Sequence, residues 1–157
     1  MVELLITNGA DVSAKNKYGD TLIHKAAKGW HEKRKDLVEL LIDKGADVNT
    51  KGSGGNTPFL CALRSKSIDV ARLLIARGAD VNSRNDAGEV SLLLALRGEK
   101  DAVDQYHFMR SMSIDTDYKA NEMSRQADLR EGYRDMVERL LVHGADADEE
   151  GPVGYRL

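Results

Sequence analysis

Gly45-Ala46-Asp47-Val48-Asn49 is followed, across a glycine-rich turn from Gly52 to Gly55, by Thr57-Pro58-Phe59-Leu60-Cys61-Ala62-Leu63. The opening returns as Gly9-Ala10-Asp11-Val12, as Gly78-Ala79-Asp80-Val81-Asn82 and as Gly144-Ala145-Asp146-Ala147. Their first glycines stand 36, 33 and 66 residues apart. One period of 33 accounts for all three gaps, with a three-residue insertion in the first and two whole periods in the last. Self-similarity at such a period means stacked supersecondary units, each burying its apolar face against the next.

The units resolve into two helical patterns. Asp36 to Gly45, Asp69 to Gly78 and Asp135 to Gly144 each carry an apolar stripe at helical spacing and end on a glycine able to take the left-handed cap. Val2 to Asn8 is a shorter version closed by Gly9. Between them lie short helices. Thr57-Pro58 places an N-cap before a proline at the first helical position, and Thr21 caps Leu22 to Ala27. Small residues recur at Ala26, Ala62 and Ala95, where neighbouring helices approach closely, and turn glycines precede these helices at Gly19, Gly55 and Gly88.

Thr57-Pro58-Phe59-Leu60-Cys61-Ala62 and Thr21-Leu22-Ile23-His24-Lys25-Ala26 match the Thr-Pro-Leu-His-x-Ala signature, so the chain resembles the ankyrin-repeat family. The match is strong over residues 1–97 and again over 132–147. The resemblance implies an all-α solenoid of antiparallel helix pairs with hairpin-like loops along one edge. It also implies protein binding through hairpin tips and a concave inner-helix face, and a hydrogen-bonding role between loops for His24. The expected division is a single array over 1–157: a partial repeat at 1–12, regular repeats at 13–48 and 49–81, degenerate repeats at 82–114 and 115–147, and a terminal hairpin or tail at 148–157. The ends stop mid-repeat, as expected of a piece of a longer array or of end faces that meet a partner.

Residues 98–131 depart from the pattern. A degenerate repeat fits the count: Ile114 falls on the register of Val81, Asn121 on that of Gly88, and Val103, Tyr106, Phe108 and Met109 offer an apolar face, with a hairpin-like turn around Ser113 to Asn121. Against it, Arg125 and Asp128 land where Phe59 and Ala62 stand. The alternative is an insertion that lengthens the helix starting near Ser91 and the one ending at Gly144. The degenerate repeat is the expectation taken forward.

Composition narrows the function. The formal charge is −3, which argues against nucleic acid, whose binding requires a cationic footprint. Cys61 is the only cysteine, so neither a disulfide framework nor a sulfur-rich metal site is expected, and an intracellular, cytoplasmic setting follows. Met1 to Ile6 is too short for a signal sequence or a membrane span. His31, His107 and His143 lack ligand spacing, Cys61 has no base beside it, and Gly52-Ser53-Gly54-Gly55 lacks the lysine of a phosphate loop. Ser91 and Ser124 are expected to be helix caps. No catalytic residue, cofactor or metal is expected.

Recognition remains. Lys28, Arg64, Arg97 and Arg130 each follow their unit's start by seven residues (from Thr21, Thr57, Val90 and Met123), which in a solenoid sets them on one line. Lys15, Lys51 and Arg84 form a second row in the hairpin turns, with Lys17 and Tyr18 nearby, and Trp30 sits in the basic insertion Lys28 to Lys35. These residues are the expected contact surface for a protein partner, through an acidic segment. The competing reading makes the chain the binding segment of a larger enzyme or effector polypeptide. Contacts through uncapped end repeats are the expected route to any oligomer.

Overall fold

The computed structural model describes Leu4 and residues 8–29, 34–111 and 116–145. Helices α1 (Leu22–Lys28) and α2 (Arg34–Asp43) form one antiparallel pair, α3 (Pro58–Arg64) and α4 (Ile68–Ala76) the next, and α5 (Ser91–Ser111) and α6 (Thr116–Val142) the last. The inner helices α1, α3 and α5 pack in sequence, and α2, α4 and α6 stack behind them. The core runs through these layers as Ile23, Ala26, Val38, Leu41, Phe59, Leu60, Val70, Leu74, Ala95, Met136 and Leu140, all buried.

Local chemistry explains the ends of the helices. Thr57 Oγ1 accepts from the Leu60 amide at 3.3 Å, and Pro58 follows where a missing N–H costs nothing. Gly45, Gly78 and Gly144 sit at φ of +89°, +86° and +82°. There the amides of Ala46, Ala79 and Ala145 return to the carbonyls of Leu41, Leu74 and Leu140 at 2.9, 2.9 and 2.8 Å, closing the helices with the same left-handed cap. The turns between units are hairpin-like: Asn16, Gly52 and Asn85 donate to Asp20, Asn56 and Glu89 at 2.9, 2.9 and 3.3 Å.

The expected degenerate repeat is replaced by the alternative. Residues 98–111 continue α5 without a break, and Asn121, Ser124, Arg125 and Asp128 all lie inside α6. Asn121, Arg125 and Asp128 are exposed, so they need neither a turn nor a core site, and Ser124 caps nothing. Phe108, 60% exposed, covers no core. Ile114 lies outside the described residues.

The register decides the matter. Asn49 donates through Nδ2 to the Gly78 carbonyl of the next unit at 3.2 Å, and Asn82 donates in the same way to the Gly144 carbonyl at 3.1 Å. Gly144 therefore takes the place directly after Gly78, with no repeat between them. The additional 33 residues lengthen α5 and α6, so that about 14 residues of α5, roughly 20 Å, project beyond α3. Gly98 permits the close crossing: a Cβ there would overlap the buried ring of Tyr133, whose hydroxyl donates to the Leu63 carbonyl at 3.1 Å.

Candidate binding surface

The hairpins and the inner-helix ends share one surface. Asp20, Asn56 and Glu89 each follow a turn glycine (Gly19, Gly55, Gly88), and Asp20 and Glu89 meet cations at the C-terminal ends of inner helices. Asp20 is almost fully buried; it accepts from the Ser53 amide at 2.8 Å and from Lys28 Nζ at 3.1 Å, with Lys25 Nζ at 3.5 Å. Burial pushes its carboxyl up, but the Ser53 amide and the Lys28 ammonium outweigh that and hold it below the ordinary value. Glu89 repeats the arrangement with Arg64 and Arg97, the latter at 3.8 Å, and accepts from Asn85 Nδ2 at 2.8 Å.

Three members of the first basic row are thus brought to one face. Lys28 and Arg64 line a cleft of about 690 Å³ with Asn85, Asp86 and Glu89, and Arg64 and Arg97 line a smaller one beside it. Arg130 is not among them. It lies on α6 in a separate cleft with Val103, Tyr106 and Gln126, because the lengthened helices displace it from the repeat register.

The second row has a structural role that the spacing did not reveal. Lys15 Nζ donates to the Lys51 carbonyl at 3.1 Å, and Lys51 Nζ donates to the Arg84 carbonyl at 3.2 Å. Each lysine staples its hairpin to the next. Arg84 forms the bridge partner of Val90. Lys17 Nζ stands 4.9 Å from the ring centroid of Tyr18, which is 61% exposed at a hairpin tip. Trp30 lies outside the described residues.

His24 links neighbouring units. Its Nδ1 accepts from the Thr21 amide at 3.2 Å, so the proton sits on Nε2, which donates to the carbonyls of Thr50 and Asn56, each at 3.1 Å. Burial keeps its pKa below 6.5, against the opposing pull of the Asn56 carbonyl and Asp20. The Cys61 thiol is buried, and burial pushes its pKa up to about 11, so it is protonated at neutral pH. Ser91 Oγ donates to the Val81 carbonyl, tying the start of α5 to the preceding turn. The described residues contain no group of His, Cys, Asp and Glu arranged to hold a metal, and no described helix is long and apolar enough to cross a membrane.

A family model of three ankyrin repeats matches residues 1–85. The chain belongs to the ankyrin-repeat family. No curated protein matches the sequence. The match ends one residue after Arg84, just before the ankyrin pattern stretches into the long α5 and α6. Ankyrin repeats are in general protein–protein interaction modules. Asp20 and Glu89, which set the charge of the ankyrin surface, were missed in the sequence. Periodicity among the cations does not reveal them, whereas the offset from Gly19 and Gly88 picks out both carboxylates.

Proposed function

We propose that the chain is a non-enzymatic binding module whose hairpin and inner-helix face takes an acidic segment of a protein partner. One observation carries the reading: each carboxylate at the inner-helix ends is shared by two cations, Asp20 by Lys25 and Lys28, Glu89 by Arg64 and Arg97. Each rung therefore keeps one unit of excess positive charge, although the whole chain is acidic. Asp86 borders the same cleft at the hairpin tip, which confines the excess to the helix ends. Lys28, Arg64 and Arg97 are 38, 50 and 63% exposed, so a partner's carboxylates can reach them. Such exposed pairs contribute little affinity each and act mainly on encounter rate and register.

Lys17 and Tyr18 would extend the contact at the first hairpin tip. Lys15 and Lys51 link the hairpins that carry it, Lys51 through the Arg84 carbonyl. Arg130 is left to a different surface. The regular units 13–48 and 49–81 are retained, and 82–147 is taken as one long unit of a single array. The single buried cysteine and the absence of a disulfide framework favour work inside the cell.

Mapping of amide shifts on addition of an acidic peptide tests this. Perturbations at Lys28, Arg64, Glu89 and Arg97 are expected. Perturbations confined to the outer helices, or to the cleft around Arg130, would contradict the assignment.

A further inference from the structure

Where α6 leaves the array it forms one wall of a second groove, of about 870 Å³, away from the hairpins. One side belongs to the array and carries Arg34, Arg64, Lys66 and Arg72 against a single carboxylate, Asp69. The other belongs to α6 and carries Asp128, Glu131 and Asp135 against a single cation, Arg125. The two sides thus have opposite net sign. Every cation of the groove already has a carboxylate neighbour: Asp69 for Arg34 at 3.2 Å, Glu89 for Arg64, Asp101 for Lys66 at 4.0 Å, Asp135 for Arg72 at 2.8 Å and Glu122 for Arg125 at 3.6 Å. Asp128 and Glu131 are exposed and have no ion pair among the described residues.

The floor of the groove continues a packing stripe. On α6, Leu140, Met136 and Gly132 follow one another at helical spacing; Met136 and Leu140 are buried in the array, and Gly132 lies over Ile68, where an added Cβ would stand 3.3 Å from its Cγ2. The same stripe runs on to Leu129 and Arg125, which line the groove beyond Gly132. Leu129 is only half-buried there.

The geometry points to a partner helix as the occupant of this groove, with an acidic flank against Arg34, Lys66 and Arg72 and a basic flank against Asp128 and Glu131. Its apolar face would complete the stripe over Leu129, in the manner of a helix laid in a groove. Opposite charge on the two walls fixes the direction in which such a helix can lie, since reversing it sets like charges together on both sides. This surface shares only the bordering Arg64 with the residues argued for the face proposed above, and either can fail without the other.

The test uses the full chain and two stapled helical peptides of about 18 residues and identical composition, one with Glu on one flank and Arg on the other, one with the same charges intermixed. Fluorescence anisotropy should give the two-flank peptide at least about ten-fold tighter binding than its isomer. Asp128→Lys with Glu131→Lys should remove that advantage, while Lys28→Glu with Arg97→Glu, outside this groove, should leave it. Equal affinity for the two peptides, an unchanged advantage in the α6 variant, or no measurable binding of either peptide overturns the proposal.

Discussion

The ring of Tyr133 lies against the Cα of Gly98, and its hydroxyl reaches across to the Leu63 carbonyl, which also accepts from the Lys66 amide at 3.1 Å. Burial pushes the Tyr133 phenol up to about 12. Through this contact the long helix pair is locked to the preceding unit.

Gly98→Ala should therefore destabilise the protein. Overpacking costs about 1–3 kcal/mol, more than the roughly 1 kcal/mol an alanine returns as helix propensity. Gly132→Ala should be near neutral, because the Ile68 methyl can yield a few tenths of an ångström. Tyr133→Phe leaves the Leu63 carbonyl one donor and should cost about 0.5–1 kcal/mol. Urea denaturation followed by circular dichroism ranks the three; equal losses at Gly98 and Gly132 would contradict the packing described.

Stability should fall in mildly acidic solution through His24. Its folded pKa is lowered, so as pH falls below about 6.5 the unfolded chain takes the proton first. The stabilisation is complete above that value and is lost toward the folded pKa, with a slope of at most about 1.4 kcal/mol per pH unit. Midpoints measured between pH 5 and 8, roughly the histidine range, should show this slope in the wild type and not in His24→Gln.

Much of the architecture was legible because the periodic residues act locally. Thr57-Pro58, the cap glycines and the Asp-x-Asn turns each specify their own few residues. The stretch 98–131 was not legible by counting, since 33 residues added to two helices and 33 residues folded as a repeat leave Gly144 at the same place in the sequence. The information that separates them is non-local: Asn82 with Gly144, Gly98 with Tyr133. Arg125 and Asp128 at sites a repeat needs for its core were the warning visible in the sequence. In the candidate surface, spacing was enough to set Lys28, Arg64 and Arg97 on one face, but it could not show that Arg130 lies in a separate cleft or that Lys15 and Lys51 donate to the carbonyls of the next hairpin.

Removing residues 98–130 should yield a regular unit. The deletion joins Arg97 to Glu131 and puts Gly132 at the register of Lys66, the described non-glycine residue with positive φ (56°) in the turn between α3 and α4. Glycine adopts that conformation at no steric cost. The shortened chain should be folded, unfold cooperatively, and lose helical signal in proportion to the excised residues. An unfolded product would show that these residues are an integral repeat.

The binding account rests on Arg64 and Arg97 sharing Glu89, and reversing both to Glu tests it most directly. Association of an acidic peptide with the wild-type chain should slow as salt rises. The Arg64→Glu/Arg97→Glu variant, with its helical signal intact, should associate at least about ten-fold more slowly, with a flattened salt dependence. An unchanged association rate and salt slope would mean that these arginines are only helix ends.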